Sequence, residues 1–186
     1  MNKQYIAFHK PYGVLSQFTG EANQRTLAEF KFPKGVYAAG RLDKDSEGLL
    51  LLTDDGPLKH KLLHPNKNHK KTYWVQVEGI PTKEALKELQ RGVLIKGYKT
   101  KPCIAKIIPN PDIPARVPPI RERKSIPTTW LSITISEGKN RQVRRMTAKI
   151  GYPTLRLIRM QIEGVELGSL PLGQWKHIRK SDIFSR

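Results

Sequence analysis

Leu49-Leu50-Leu51-Leu52 is the most apolar run in this chain. Four residues make a strand rather than a helix. Because every position is apolar, not every second one, the strand must be covered on both faces. Nothing in the chain approaches the ~20 apolar residues of a membrane-spanning helix. The fold therefore has to be built around a short, central, doubly buried strand.

The chain has 186 residues, enough for one domain, or one domain in two lobes, with a real core. Its 34 Lys and Arg residues outnumber 16 Asp and Glu, for a net charge of +18. That much charge opposes compaction by self-repulsion and makes sense against a polyanion. The basic residues run along the whole chain rather than a tail, which points to a folded basic surface facing nucleic acid. A single cysteine, Cys103, excludes an intrachain disulfide framework and a cysteine-rich zinc site. In the run Cys103-Ile104-Ala105 it reads as a small buried hydrophobe, not a nucleophile. The start, Met1-Asn2-Lys3-Gln4-Tyr5, lacks the apolar stretch of a signal peptide, so a cytoplasmic protein is expected.

Residues 5–8, 36–39 and 49–52 read as strands, and residues 26–30 as a helical turn. Lys10-Pro11-Tyr12-Gly13 ends the first strand in a turn. Residues 57–63 form a short helix, with Pro57 in its first turn and Asp54 and Asp55 at its positive end. Residues 72–78 alternate, with Tyr73, Val75 and Val77 on one face and Trp74 and Gln76 on the other. Thr82 caps a helix that runs to Arg91 and stops at Gly92. Residues 101–108 read as a strand. The stretch 109–128 is rich in proline and charge and reads as a long exposed loop. Residues 130–136 form a strand with one buried face. Residues 140–150 form a helix with Asn140 as N-cap and Gly151 as stop, and 155–162 a further strand. A C-terminal strand and turn finish the chain. Strands outnumber helices, and several follow one another directly. That favours an α+β fold with a largely antiparallel sheet.

Four segments carry candidate chemistry. Gly40-Arg41-Leu42-Asp43-Lys44-Asp45-Ser46-Glu47-Gly48 is a polar loop between two apolar strands. It places a carboxylate at a sheet end, and its terminal glycines permit tight backbone geometry. The bland alternative is a solvated loop with surface ion pairs. The acids do not meet the spacing of a calcium-binding EF-hand. In Glu137-Gly138-Lys139-Asn140-Arg141-Gln142-Val143-Arg144-Arg145-Met146, helical spacing groups Val143, Met146, Thr147 and Ile150 on one side. Arg141, Arg145 and Lys149 form a stripe on the other, with Arg144 at the boundary. The stripe suits phosphates, and a helix start behind Gly138-Lys139 suits an anion. A charged helix face is also often merely solvated. Lys70-Lys71-Thr72-Tyr73-Trp74 leads a basic pair into a strand with two aromatic rings, which suit base stacking or core packing alike. In Leu155-Arg156-Leu157-Ile158-Arg159, strand geometry puts Leu155, Leu157 and Arg159 on one face.

Taken in order, these segments resemble the RsuA-type pseudouridine synthases. The matching pieces are Lys10-Pro-Tyr-Gly-Val, Gly40-Arg-Leu-Asp with Ser46-Glu-Gly and the leucines up to Thr53-Asp-Asp-Gly56, Lys71-Thr-Tyr73 with Val75, Glu137 to Met146, and Leu157-Ile-Arg159. They span about residues 5–178. Within that family the chain most resembles the E branch, which acts on large-subunit ribosomal RNA. The resemblance implies a single catalytic domain over residues 1–186 that starts without the S4-like RNA-binding domain of many members. It implies an α+β fold with a mixed, largely antiparallel sheet and flanking helices, in two lobes around a basic cleft.

The reaction implied is isomerisation of uridine to pseudouridine, with the base detached from C1′ and rejoined through C5. Asp43 takes the catalytic aspartate position, as nucleophile or as the base that draws a proton from the sugar. Tyr73 takes the position of the ring that stacks on the target base and helps remove the C5 proton. Arg144 matches the basic residue that pairs with the aspartate, and Leu157 the apolar wall of the pocket. Arg41, Lys71, Lys139, Arg141, Arg145, Lys149 and Arg159 are expected to contact RNA, with Arg41 holding the displaced strand. No metal or organic cofactor is implied. The partner is ribosomal RNA, 23S by preference, or an assembly intermediate, and the protein is expected to be monomeric.

Two rival classes remain. A non-catalytic ribosomal-RNA- or ribosome-binding protein explains the charge equally well, but gives no reason for a carboxylate in the Gly-Arg-Leu-Asp loop. A nuclease would need a metal cluster or paired histidines. His60 and His64 have helical spacing but lack the intervening Glu of a zinc protease motif.

Overall fold

A computed structural model describes residues 3–121, 123 and 125–185 of the protein. In chain order its elements are β1 (Tyr5–Lys10), β2 (Tyr37–Ala38), β3 (Glu47–Thr53), α1 (Gly56–Leu63), β4 (Lys71–Glu78), α2 (Lys83–Arg91), β5 (Leu94–Ile95), β6 (Tyr98–Lys99), β7 (Ile104–Ile108), β8 (Thr128–Ile135), α3 (Gln142–Lys149), β9 (Thr154–Ile162), β10 (Val165–Glu166), β11 (Trp175–His177) and α4 (Lys180–Ile183). Short 3-10 turns cover Leu27–Phe30 and Pro65–Lys67. The fold is α+β, as expected. Among the described residues no helix is long and apolar enough to cross a membrane. The chain divides into two compact units, Met1–His69 with Ile158–Arg186, and Lys70–Leu157.

In the first unit the strand order is β11-β1-β3-β9, with β2 also on β3. β3 pairs antiparallel with β1, from Tyr5 opposite Thr53 to Lys10 opposite Gly48. It pairs parallel with β9, Gly48 opposite Arg159. Every residue of β3 is buried, as the leucine run requires. The strand is longer than that run, because the ladder with β1 also draws in Gly48 and Thr53 and the pairing with β9 draws in Glu47. Phe8 anchors an aromatic cluster, with Phe30 and Phe32 at centroid distances of 4.7 and 5.0 Å. Asp55 caps α1 by accepting from the Leu58 N–H at 2.9 Å. Its carboxylate also accepts from Lys180 Nζ at 2.8 Å and the Tyr5 hydroxyl at 2.9 Å. The Lys180 bond first, and then the Leu58 N–H, hold this carboxyl down at about 2.

In the second unit β4, β8 and β7 form an antiparallel sheet. Tyr73 lies opposite Ile133. α2 starts at Thr82, whose hydroxyl accepts from the Ala85 N–H at 3.1 Å, and closes at Gly92. The sequence reading has no counterpart for the β5–β6 hairpin. Its two-residue turn is Lys96-Gly97, both at positive φ (44° and 78°), the requirement of a tight turn between twisted strands. β7 starts at Ile104 rather than 101, and β8 already starts at Thr128. Between them, residues 109–127 carry no regular structure where described, while Glu122 and Lys124 lie outside the described residues. The segment is tied down at Pro114, whose carbonyl accepts from Arg156 Nη1 at 2.9 Å, and Arg123 Nε lies 3.5 Å from Glu78 Oε1.

The start of α3 departs from expectation. Arg141, not Asn140, is the N-cap, at φ 51°, and it makes no side-chain capping bond. Gln142 does the local work instead. Its Oε1 accepts from the Lys139 N–H at 3.0 Å, and its Nε2 donates to Glu137 Oε1 at 2.5 Å. Asn140 Oδ1 is then left to accept from Arg145 Nη2 at 2.7 Å.

Candidate active site

The first unit holds Arg41, Asp43 and Arg159. Asp43 lies in the loop between β2 and β3. It is half-buried, between exposed Arg41 and Lys44 and beside Leu42, which is turned inward. Main-chain bonds shape this loop: the Ser46 N–H donates to the Asp43 carbonyl at 3.0 Å, and the Gly13 N–H to the Lys44 carbonyl at 2.8 Å. Of the three loop acids, Glu47 is buried within β3, while Asp43 and Asp45 are half-buried.

The sequence places Lys10 in a turn and in the Lys10-Pro-Tyr-Gly-Val piece but assigns it no role of its own. It is fully buried, and its ammonium donates to the Pro11 and Val14 carbonyls at 2.9 and 2.7 Å. Burial pulls its pKa down to about 7 and Arg159 adds to the fall, while Glu47, Asp45 and Asp43 act against it. A lysine as the last residue of a strand that faces a leucine run was the available signal. Arg159 is also inside. It is 4% exposed, and its Nε donates to the Leu49 carbonyl at 2.8 Å. This bond braces β9 against β3. Arg159, expected from the sequence to contact RNA, is thus almost fully covered in the free protein.

The second unit holds Tyr73, Arg144 and Leu157, with Lys71, Lys139, Arg141, Arg145 and Lys149. Tyr73 is 7% exposed, on the buried face of β4 with Val75 and Val77. Leu157 is 5% exposed. In α3, Gln142, Val143, Met146 and Thr147 are buried, and Arg144 and Arg145 are half-buried. Arg141 and Lys149 are exposed, so the basic stripe faces outward at both its ends. Lys139 is exposed, its ammonium 3.4 Å from the centre of the Tyr98 ring. Lys71 is half-buried at the start of β4.

Other candidates recede. Cys103 is half-buried rather than fully buried. Its thiol donates to the Leu89 carbonyl at 3.2 Å, and burial pushes its pKa up to about 11. It is therefore not poised as a thiolate. The His60 and His64 rings meet edge to face, with centroids 5.7 Å apart, and among the described residues no three His, Cys, Asp or Glu groups gather as metal ligands.

A family model described as RNA pseudouridylate synthase matches residues 4–149. The chain belongs to the RNA pseudouridylate synthase family. The match runs from β1 through α3, so it includes Asp43, Tyr73 and Arg144 and stops short of Leu157. A ribosomal large subunit pseudouridine synthase E of Vibrio vulnificus is 56% identical over 95% of this chain and 75% of its own length. Its namesake in Xanthomonas campestris is 54% identical over 92% and 93%. A crystal structure of a pseudouridylate synthase superposes with a TM-score of 0.78 at 31% identity, over 98% of this chain and 73% of that one. An enzyme of this family exchanges an N-glycosidic bond for a C-glycosidic one. That isomerisation moves protons but no net electrons, so a carboxylate, an aromatic ring and cationic groups suit it.

Proposed function

We propose that the protein converts a uridine of ribosomal RNA, in the 23S molecule, to pseudouridine. The observation that carries this reading is the 56% identity, across 95% of the chain, to an enzyme named for the large ribosomal subunit. A half-buried Asp43 on a loop pinned through its own backbone supports it further. The N1–C1′ bond breaks, the base turns, the C5–C1′ bond forms, and the proton lost from C5 is balanced by one gained at N1. Asp43 acts at the sugar, by attack at C1′ or by taking a proton from the ribose. Tyr73 faces the base and assists proton loss from C5. Arg144 supplies positive charge for the carboxylate and Leu157 an apolar wall. The catalytic domain is residues 1–186, working as a cytoplasmic monomer. A flipped base costs a few kcal/mol of stacking and pairing, offset by phosphate contacts from Arg41, Lys71, Lys139, Arg141, Arg145 and Lys149.

Carbodiimide-adduct primer extension on ribosomal RNA from a strain lacking the protein tests the substrate. The expected result is one pseudouridine stop missing from 23S RNA and restored by the wild-type gene. An unchanged 23S pattern would overturn the proposal. Arg145→Ala should weaken RNA binding and lower the slope of log K against log salt by ~0.7 for one lost single-strand phosphate contact. An unchanged slope removes Arg145 from the phosphate set.

A further inference from the structure

We propose that Ser16 is a positioning residue that holds Asp43 in place through the Leu42 peptide; this rests on the reading of Asp43 as the catalytic carboxylate. The Ser16 hydroxyl donates to the Leu42 carbonyl at 2.7 Å and accepts from the Leu42 N–H at 3.0 Å. One hydroxyl, with one proton and two lone pairs, thus satisfies both backbone groups of the residue immediately before Asp43. Three residues upstream of Ser16, the Gly13 N–H binds the carbonyl of Lys44, the residue immediately after. The segment 13–16 therefore grips the chain on both sides of Asp43, and the Ser46 N–H fixes the Asp43 carbonyl itself.

The grip is itself anchored. Val14 is fully buried, and its carbonyl accepts from the buried Lys10 ammonium at 2.7 Å. The Leu15 N–H donates to the Arg25 carbonyl at 2.9 Å. A continuous path runs from β1 through Lys10, Val14 and Ser16 to Leu42 and Asp43. Leu42, 6% exposed, adds a buried side chain at the end of that path. Loops that carry reacting groups reach productive geometry only when a supporting set of bonds removes their freedom. Ser16 supplies two of those bonds from a side chain remote in sequence.

Removing the hydroxyl leaves the Leu42 N–H and carbonyl without this partner and frees the loop to drift. A misplacement of about 1 Å costs on the order of a hundredfold in rate. The test is single-turnover kinetics with RNA affinity and thermal midpoint measured on the same protein. Ser16→Ala should lower the rate of pseudouridine formation by about 10- to 100-fold while RNA Kd stays within about twofold. Ser16→Thr, which keeps the hydroxyl, should recover at least about a third of the wild-type rate. Ile183→Val, a trimming of the buried core in α4, serves as the stability control and should keep the wild-type rate. A wild-type rate in Ser16→Ala, a Ser16→Thr as slow as Ser16→Ala, or a loss confined to Kd overturns the inference. Asp43→Asn, run alongside, separates the two readings. If it is active, the assignment of Asp43 fails; if it is inactive and Ser16→Ala is not impaired, only the role of Ser16 fails.

Discussion

Asp43→Asn should leave a folded, RNA-binding protein whose rate of pseudouridine formation has fallen by at least about 10⁴-fold, the scale set by loss of a nucleophile or essential base. The amide is nearly isosteric with the carboxylate but neither attacks C1′ nor takes a proton. The fold is expected to survive because these bonds that shape the loop do not use the Asp43 carboxylate: Asp43 O with Ser46 N, Lys44 O with Gly13 N, and both Leu42 backbone groups with the Ser16 hydroxyl. The sign of the binding change is informative. Removing a negative charge from a surface that meets phosphates leaves RNA affinity equal or slightly tighter. A variant that is inactive and binds at least as well separates catalysis from binding, and a non-catalytic RNA-binding protein has no counterpart to that result. Carbodiimide-adduct primer extension reads activity, and filter binding reads affinity. Retained activity would sink the assignment. Loss of activity in Asp45→Asn instead would move it two residues along the same loop.

The central strand and the alternating strand at residues 72–78 were legible because their patterns follow directly from burial. A run of leucines needs cover on both faces, and an alternating segment needs it on one. Thr82 and Gly92 were legible as helix ends because their chemistry is local. The cap of α3 was not, because two side chains compete there. Asn140 has the right oxygen, yet Gln142 reaches back to Lys139 and leaves Asn140 to Arg145. The β5–β6 hairpin was hidden by its length, since two-residue strands show no period, though Gly97 marked its turn. Asp43 itself was an acid among three until the order of motifs singled it out. Its supports were invisible: nothing in the sequence says that Ser16 reaches Leu42, 26 residues away. Alternation put Arg159 on a face of β9 but could not say that its guanidinium would bond the Leu49 carbonyl of the neighbouring strand β3.

Gly48→Ala should be among the most destabilising single-methyl changes available in this protein. Gly48 sits at the crossing of two ladders, opposite Lys10 on one side and Arg159 on the other. Its φ is +106°, and a Cβ there would lie 2.5 Å from the Arg159 backbone nitrogen. Backbone cannot rotate out of the way as a side-chain tip can. The methyl must force β3 and β9 apart, which costs ~1–3 kcal/mol as overpacking, on top of ~1–2 kcal/mol for an L-residue at positive φ. A loss of about 3 kcal/mol corresponds to a fall of ~10 °C in the midpoint of a chain this size. Gly35→Ala isolates the packing part. Gly35 has φ +86° with nothing within 4 Å of its virtual Cβ, so it carries the conformational cost alone. Equal midpoints for the two variants would show that the close approach of β3 to β9 is not what constrains Gly48. Activity should fall as well, at temperatures where Gly48→Ala is still folded. The loop that carries Asp43 runs directly into β3 at Glu47 and Gly48, so parting the strands shifts the base of the loop even while Ser16 still holds Leu42.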